Sequence, residues 1–317
     1  MAFNKILCIG ISESKLEPDY WKRMDKITEK RVMLEKDSTD IKTHLADTDC
    51  LLINPFVFKA DKDIIDSAPK LKFIEVLATG YGVVDTDYAA SKGIAVCNVP
   101  GYATESVAEL AISIILEHSR DLEHAKHLGR TGDYTDVPRL PVFEIKEKKF
   151  GIIGTGRIGS RVVELLLAFG ARVSYWSRSR KPELEQKGAV YEKAEKLLSE
   201  SDFVLLHLAL NSETEGFLNE KLIGTIKEGA VLLNLSPNEL VDFNSLEKRL
   251  TGKNLIYIAD HIDEMTPDQA KKMTEYENFV PYPPIGYQTV EATKAKQEIF
   301  VANIENFLEG KPSNKVN

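Results

Sequence analysis

The chain of 317 residues has few cysteines, no excess of basic residues and no long hydrophobic run. Its three cysteines, Cys8, Cys50 and Cys97, lie in apolar segments without CxxC spacing, which argues against a disulfide framework or a metal site. Because 49 acidic residues outnumber 41 basic ones, for a net charge of −8, nucleic acid and anionic membranes are not expected as partners. The longest predominantly apolar stretch, Leu110–Leu116, is too short to cross a bilayer.

What remains is the composition of an ordinary globular protein, with 43% hydrophobic and 28% charged residues. The N-terminus lacks the profile of a signal peptide, so we expect a cytoplasmic protein whose partner is a small molecule. The length predicts two domains, each large enough to bury its own core.

Short apolar runs alternate with helical stretches, a pattern typical of parallel sheets with crossover helices. The predicted fold class is therefore α/β, with two Rossmann-like or flavodoxin-like domains that each contain a parallel sheet, and a cleft between them. The predicted strands are Lys5–Ile9, Arg31–Leu34, Cys50–Ile53, Phe73–Val76, Ala95–Asn98, Lys149–Ile153, Arg172–Trp176, Phe203–His207, Val231–Leu235, Leu255–Asp260 and Phe279–Pro281.

The first domain is predicted to be discontinuous and to comprise residues 1–100 and 288–317. The C-terminal helix, Thr289–Leu308, has no strand of its own, so we expect it to pack back on the first sheet. Residues 101–287 would form the second domain, which contains six of the predicted strands.

A long helix is predicted between the two series of strands. Ser106–Glu109 has the pattern of a capping box, and the helix would run to about His127. It is apolar on nearly every side, which predicts burial between domains or between subunits. His118, His124 and His127 lie on this helix, but no third metal ligand accompanies His124 and His127, so a solvated helix face is expected and no metal site.

The segment Phe150–Gly159 reads FGIIGTGRIG, a buried strand that leads into G-x-G-x-x-G and then a helix. In that context Gly154 permits a tight turn, Gly156 lets the backbone approach a pyrophosphate, and Gly159 lets the helix pack on the strand. The helix N-terminus supplies N–H donors and a positive dipole. The motif predicts a dinucleotide site in residues 101–287; the alternative is a purely structural glycine turn.

The strand after this motif ends at Ser177, where an NAD site normally has an acid that binds the ribose 2′-hydroxyl. Ser177 is followed by Arg178, Ser179, Arg180 and Lys181, which place three cations within four residues. Charge-assisted hydrogen bonds to phosphate contribute about 1.5–3 kcal/mol, so this loop predicts NADP(H) in preference to NAD(H). A solvated basic loop is the alternative.

At this point the chain resembles the D-isomer-specific 2-hydroxyacid dehydrogenases, most closely their glyoxylate/hydroxypyruvate reductase branch. The resemblance covers residues from about 71 to 310. It is carried by Ala78–Asp85, Asn98–Glu109, Gly154–Gly159, His207–Asn211 with Thr214 and Gly216, Asn234 with Leu240–Asp242, and Ala259–Asp260. It implies a homodimer whose interface includes the helix that begins near Ser106.

The resemblance also implies roles for individual residues, with the first domain binding substrate and the second binding the coenzyme. Thr79, Gly80 and Tyr81 would present backbone amides to a substrate carboxylate. Asp260 would accept a hydrogen bond from the nicotinamide carboxamide. The complete set of residues expected at the coenzyme, from motif and resemblance together, is Thr104, Gly154, Gly156, Arg157, Ile158, Gly159, Ser177, Arg178, Ser179, Arg180, Leu208, Thr214, Leu235, Ser236 and Asp260.

The residues at the family's catalytic positions are different here. Where the family has Asn-Thr-Ala-Arg-Gly, this chain has Asn234–Asn238, with Pro237 at the arginine; where the family has Thr-Pro-His, it has Pro284 at the histidine. Met265 falls at the family glutamate, although a shift by one residue would let Glu264 serve. Proline offers neither a proton nor a charge, so ordinary 2-oxo acid reduction should be slower by about three or more orders of magnitude if no other residue substitutes.

Three side chains are candidates for a replacement catalytic role: His261, Glu264 and Tyr282. His261 follows Asp260 at a strand end and has a pKa suited to proton transfer, but it would face away if the segment stayed extended. Tyr282, like Tyr287, could donate a phenolic proton, although aromatic packing is the simpler explanation of both.

Two functions follow from these observations. The first is an NADP(H)-dependent oxidoreductase of this family that acts on an atypical carbonyl or imine substrate. The second is a catalytically silent NADP(H)-binding sensor or regulatory protein. A lyase, or a reaction with transient oxidation by a tightly held coenzyme, would be a more distant possibility.

Overall fold

The computed structural model describes residues 2–317 and contains two compact units. One unit comprises the residues up to Ala103 together with Thr289–Asn317, and the other comprises Thr104–Gln288. Each unit has its own parallel sheet, as predicted for an α/β fold. The observed boundaries between the two units lie within three residues of the predicted domain boundaries.

The strands and helices alternate along the chain. The strands are β1 Phe3–Ile9, β2 Thr28–Leu34, β3 Cys50–Ile53, β4 Phe73–Val76, β5 Ala95–Cys97, β6 Lys149–Ile153, β7 Arg172–Trp176, β8 Val190–Tyr191, β9 Phe203–Leu206, β10 Ala230–Asn234, β11 Leu255–Ala259 and β12 Phe279–Pro281. The helices are α1 Pro18–Asp25, α2 Ile41–Leu45, α3 Lys62–Asp66, α4 Thr86–Ser91, α5 Thr104–Arg120, α6 Leu122–Thr131, α7 Arg157–Ala168, α8 Pro182–Glu185, α9 Ala194–Glu200, α10 Glu220–Thr225, α11 Phe243–Thr251, α12 Pro267–Met273 and α13 Val290–Leu308. Single 3₁₀ turns cover Glu13–Lys15, Val137–Arg139, Asn238–Leu240 and Ile262–Glu264.

The first unit contains a five-stranded sheet in the order β2-β1-β3-β4-β5, the flavodoxin-like order. The inner strands β1, β3 and β4 and the edge strand β5 bury nearly every side chain, as expected for parallel strands covered on both faces. Helix α13 packs on this sheet through Phe300, Val301 and Ile304, which are fully buried. The C-terminal helix therefore packs where the sequence predicts.

The second unit contains a seven-stranded sheet in the order β12-β11-β10-β9-β6-β7-β8. The strand order reverses between β6 and β9, so the carboxyl ends of these two strands flank a topological switch point. Open α/β sheets bind ligands at such points, outside the carboxyl ends of the strands. The glycine motif directly follows β6 and lies at this position.

Three local predictions are wrong in this second unit. The sheet has a seventh strand, β8, whose two residues are too short to produce a sequence signal. The long helix is two helices, because Asp121 adopts a left-handed conformation (φ 46°, ψ 51°) between α5 and α6. Ser106 is not a helix cap: α5 begins two residues earlier, and the Ser106 hydroxyl donates to Gly286 O at 2.5 Å.

Within residues 2–317, no helix combines the length and the apolar character that crossing a membrane requires.

Candidate functional site

The glycine motif forms a tight turn between β6 and α7. Gly154 has a φ of +96°, which a residue with a side chain rarely adopts. A Cβ atom on Gly159 would lie 1.9 Å from Gly154 O, so the helix approaches the strand more closely than alanine would permit. Both predicted roles of these glycines agree with the observed geometry.

The same turn leaves open space and free donors at the start of α7. A Cβ atom added to Gly156 would meet no described atom within 4 Å. Arg157 and Ile158 are the first residues of the helix, so their N–H groups have no acceptor one turn earlier within it. Such a helix start attracts an anion through its N–H groups and its dipole.

The loop after β7 is held by hydroxyl groups. Ser177 is buried; its Oγ donates to Ser179 O at 2.6 Å and lies 2.9 Å from Thr155 Oγ1. A carboxylate is absent from this position, as the sequence predicts, and a short hydroxyl network connects the loop to the glycine turn.

The two arginines of this loop are not equivalent. Arg180 forms a bidentate pair with Glu185 at 2.7 and 3.0 Å, and Glu185 also accepts from the buried Tyr175 hydroxyl. Arg178 makes one 3.1 Å contact with Glu213, and both of these side chains are at least 70% exposed. An exposed pair of this kind contributes little stability, so Arg178 can exchange its partner for a phosphate more easily than Arg180 can.

Polar side chains in the loops after β9 and β10 form hydrogen bonds with the backbone of the same unit. Thr214 Oγ1 accepts from Asn211 N and donates to Ala209 O, which folds the loop that follows Leu208. Ser236 Oγ donates to Leu206 O at 2.9 Å. Leu208 is partly exposed and Leu235 is buried, so these two contribute apolar surface at the ends of the strands.

Asp260 directly follows β11 and is buried. Its Oδ1 atom has no hydrogen-bond partner anywhere in residues 2–317. Burial raises the pKa of Asp260 to about 6. A buried acceptor without a partner is costly, so this carboxyl group is suited to receive a hydrogen bond from a ligand.

His261 and Glu264 form a pair beside Asp260. His261 Nδ1 lies 2.9 Å from Glu264 Oε1, and His261 Nε2 lies 3.4 Å from Asp260 Oδ1. The chain bends after Asp260, so the two neighbouring side chains lie close together and do not face opposite sides as an extended segment would require.

Asn238 connects this pair to the loop after β10. Its backbone N–H donates to Glu264 Oε2 at 3.2 Å, and its side-chain amide donates to His261 O at 2.6 Å. Sequence reasoning did not identify Asn238, although an amide where the related sequences have glycine was a usable signal.

The three positions that the resemblance predicts to be catalytic follow neighbouring strands in this unit. Pro237 follows β10, Met265 follows β11 and Pro284 follows β12, three strands that are adjacent in the sheet. Met265 is buried in the core, so its side chain offers no surface to a substrate. Glu264, one residue earlier, is the acid that the structure connects to His261.

The remaining aromatic and histidine candidates lie in other surroundings. The Tyr282 hydroxyl donates to Glu117 on α5 at 2.7 Å, and burial together with this carboxylate raises its pKa well above the ordinary value. His118 packs edge-on against Phe143 and Phe203 and is half-buried, so the prediction of a solvated face is wrong for this residue. His124, which is exposed, lies 3.2 Å from Asp121.

The loop after β4, in the first unit, offers exposed backbone N–H groups to a ligand. Thr79, Gly80 and Tyr81 are exposed, and within residues 2–317 their three N–H groups donate to no acceptor. The Thr79 hydroxyl donates to Val99 O at 2.9 Å, and Asn98 Nδ2 donates to Thr79 O at 2.7 Å. These contacts fix the loop, whose three N–H groups are available to an anion.

Comparison with known proteins is consistent with this geometry. Residues 112–286 match the family model described as D-isomer specific 2-hydroxyacid dehydrogenase, NAD binding domain. A glyoxylate reductase of Thermococcus litoralis is 34% identical over 317 residues, which cover 98% of this chain and 93% of that protein. A hydroxypyruvate reductase of Blautia hydrogenotrophica is 32% identical over 308 residues, covering 94% of each. The structure is also similar to that of a D-lactate dehydrogenase from Aquifex aeolicus complexed with NAD and lactic acid, with a TM-score of 0.84, 25% identity and 96% coverage of both chains.

Proposed function

The chain belongs to the D-isomer-specific 2-hydroxyacid dehydrogenase family of oxidoreductases, and from this premise we propose that it is an NADP(H)-dependent reductase of a small, atypical carbonyl or imine compound. The observation that supports the reaction type is the glycine turn of Gly154–Gly159, whose geometry suits a dinucleotide. When bound, the reduced nicotinamide supplies a hydride to the carbon of the substrate's double bond.

The residues present fit this coenzyme. The N–H groups of Gly156, Arg157 and Ile158 would hold the pyrophosphate at the start of α7. Asp260 Oδ1, the buried acceptor that lacks a partner among the described residues, would receive the carboxamide N–H. Thr104, Leu208, Thr214, Leu235 and Ser236 would line the remainder of the coenzyme site.

The phosphorylated coenzyme is favoured by the loop after β7. Ser177 has no charge to repel a 2′-phosphate, and Arg178 carries a cation whose present partner is an exposed glutamate. We therefore place the 2′-phosphate beside Ser177–Arg180 and expect NADP(H) to bind more tightly than NAD(H).

The substrate is proposed to carry a carboxylate, because Thr79–Tyr81 are exposed and their three N–H groups, which have no acceptor within residues 2–317, suit an oxyanion. Glyoxylate and hydroxypyruvate, which give the two relatives their names, have this group. The carbon that accepts the hydride must nevertheless be reactive without the family's arginine and histidine, since Pro237 and Pro284 stand at those positions. An imine meets this requirement better than a ketone, because its nitrogen is more basic than a carbonyl oxygen and takes up a proton more readily.

A panel assay tests this proposal. NADPH consumption would be followed with glyoxylate, hydroxypyruvate, pyruvate and small aldehydes, each alone and each with ammonium or methylamine to form imines. We expect turnover with an imine-forming mixture to exceed turnover with the 2-oxo acid alone by about 100-fold or more, the size of a general-acid contribution.

Two results would contradict the proposal in different ways. Rapid reduction of hydroxypyruvate alone would show that the substrate is an ordinary one. Tight NADPH binding without turnover of any compound would favour the silent sensor. A variant with Pro237→Arg and Pro284→His provides a control, because it should gain activity toward 2-oxo acids.

We also propose that two copies of the chain associate. The segment after α6 exposes apolar side chains, with Tyr134 64% and Val137 46% exposed. The same unit has a cavity of about 590 Å³ lined in part by Val231, Ile256 and Val280. Light scattering coupled to size exclusion should give twice the 35.5 kDa chain mass; a monomer at micromolar concentration would contradict the association.

A reducing compartment such as the cytoplasm is proposed as the location. All three cysteines are buried with free thiols, and burial raises the pKa of both Cys8 and Cys97 to about 12. Such thiols are protonated and unreactive. Free thiols without disulfides are typical of proteins in a reducing compartment.

A further inference from the structure

His261 is held on one side and accessible on the other. Its Nδ1 atom contacts Glu264 at 2.9 Å, and its backbone carbonyl accepts from the Asn238 amide at 2.6 Å. Glu264 is itself fixed, since its second oxygen accepts from Asn238 N at 3.2 Å. The His261 side chain is 25% exposed, so the ring is within reach of a ligand.

The Nε2 atom of this ring lies 3.4 Å from Asp260 Oδ1, and that oxygen makes no hydrogen bond with any of residues 2–317. Nε2 is therefore available to a ligand. With Nδ1 paired to Glu264, a proton on Nε2 is directed toward the carboxyl end of β11. This is the edge of the sheet where Asp260 would receive the coenzyme.

We propose that His261 is the catalytic acid–base residue of this chain and that Glu264 is its positioning residue. The inference rests on the proposed function and names the residue that supplies the proton in that reaction. It assigns the acid to the loop after β11, whereas the related sequences have their histidine after the strand that precedes Pro284.

The arrangement meets the two requirements of a general acid, position and protonation. A carboxylate on Nδ1 fixes the ring orientation and stabilises the imidazolium, as in other histidine–carboxylate pairs. Burial lowers the pKa of His261, but the hydrogen bond to Glu264 and the charges of Asp260, Glu264 and Asp263 outweigh it, and the pKa stays above its ordinary value. The proton is therefore available near neutral pH.

For a carbonyl substrate, the carbonyl carbon would take up two electrons and one hydrogen as the hydride that the bound coenzyme supplies. The π pair of the C=O bond moves to oxygen, which takes the proton from His261 Nε2 and becomes a hydroxyl group. His261 is left neutral and regains its proton from water. For an unprotonated imine, the nitrogen takes the proton in place of oxygen.

The test compares His261→Asn and Glu264→Gln with His124→Asn. His124 is a matched control because it also has a carboxylate three residues away, Asp121 at 3.2 Å, but lies on α6. The probes are hydroxypyruvate alone and glyoxylate in ammonium buffer, with NADPH. NADPH affinity is measured separately by fluorescence titration, and the His261 ring is titrated by NMR in the protein without coenzyme.

We expect His261→Asn to lower kcat about 100-fold or more while NADPH affinity changes less than threefold. Glu264→Gln should lower kcat about tenfold and shift the NMR titration of His261 to lower pH, and His124→Asn should leave both unchanged. Wild-type kcat should fall as pH rises through the His261 pKa, and this dependence should disappear in His261→Asn.

Three outcomes would overturn the inference. If His261→Asn retains kcat within threefold of wild type, His261 is structural although the proposed function stands. If Glu264→Gln leaves the NMR titration of His261 unchanged, the pair has no influence on the proton, whatever the activity. If the wild type reduces neither probe nor any other compound of the panel, the proposed function and this inference fail together.

Discussion

The three glycines of the turn differ in how much space surrounds them. The Cβ position of Gly159 is 1.9 Å from a backbone oxygen that cannot rotate away, whereas the space around Gly156 is open. One glycine of the motif therefore serves the packing of α7 on β6, and another leaves space for a ligand. A motif of three identical residues contains at least two different physical requirements.

The first prediction concerns this contact. Gly159→Ala should displace α7 from β6, lower the unfolding midpoint in urea and weaken NADPH binding by tenfold or more. Gly224→Ala, in α10, is the matched control: its Cβ would meet nothing within 4 Å, so it should preserve binding and stabilise the helix by up to about 1 kcal/mol. Equal NADPH affinity in wild type and Gly159→Ala would show that the turn does not hold the coenzyme.

The second prediction concerns coenzyme choice. Arg178→Ala should weaken NADPH binding about tenfold and leave NADH binding unchanged, because one charge-assisted hydrogen bond is worth about 1.5–3 kcal/mol and 1.4 kcal/mol is tenfold. Arg172→Ala is the control, since Arg172 lies at the other end of β7 and pairs with Glu147. Dissociation constants for both coenzymes decide the matter; an equal loss for NADPH and NADH would exclude a role in recognising the phosphate.

At this scale the sequence identifies the charged loop after β7 but not which of its charges are paired. Ser177, Arg178 and Arg180 can be recognised from their distance to the glycines. The pairing of Arg178 with Glu213 cannot, because the two are 35 residues apart and meet only after β9 is in place. The His261–Glu264 pair also depends on a bend after β11, and no local sequence pattern predicts that bend.

At the scale of strands and helices, burial decides what can be predicted. All eleven predicted strands overlap observed ones, most of them at buried positions. The edge strands β2 and β12 are only partly buried. The element missed, β8, has two partly exposed residues and therefore no apolar run. The break at Asp121 could not be predicted, because a left-handed aspartate depends on the packing of both helices and no proline or glycine occurs there.

Strand β4 and helix α13 of the first unit are connected by a buried carboxyl group. Glu75, in the middle of β4, accepts from Asn303 Nδ2 at 2.8 Å, while its Oε2 has no partner within residues 2–317. Burial raises the pKa of Glu75 well above its ordinary value of 4.5, and the hydrogen bond from Asn303 offsets only part of this. The folded protein therefore binds a proton that the unfolded chain releases above pH 4.5.

The third prediction follows from the sign of this shift. Since the folded state binds more protons, stability is lost as pH rises from 4.5 toward the folded pKa, by up to about 1.4 kcal/mol per pH unit. Glu75→Gln removes this loss, so its stability relative to wild type should increase from pH 5 to pH 8 in urea unfolding. Glu309→Gln, at an exposed position after α13, should show no such trend; a parallel pH dependence for wild type and Glu75→Gln would contradict the account.

At the scale of the whole molecule, the chain keeps a coenzyme-binding edge and changes the chemistry next to it. The glycine turn, the Asp260 oxygen that has no partner within residues 2–317, and the exposed N–H groups of Thr79–Tyr81 support the proposed reductase. The resemblance predicts Pro237 and Pro284 at the family's arginine and histidine positions, and a histidine–glutamate pair lies on the loop after β11. The fold could be predicted from the sequence because each unit follows one pattern throughout, whereas substrate identity depends on the few residues that depart from it.

The fourth prediction addresses the central claim that the second unit binds a phosphorylated nicotinamide coenzyme. Calorimetric titration of the full chain with NADPH and, separately, with NADH measures it directly. We predict one site per chain for NADPH and an affinity for NADH that is at least about tenfold lower, as the loss of one charge-assisted contact requires. Absence of binding by both coenzymes would contradict the account.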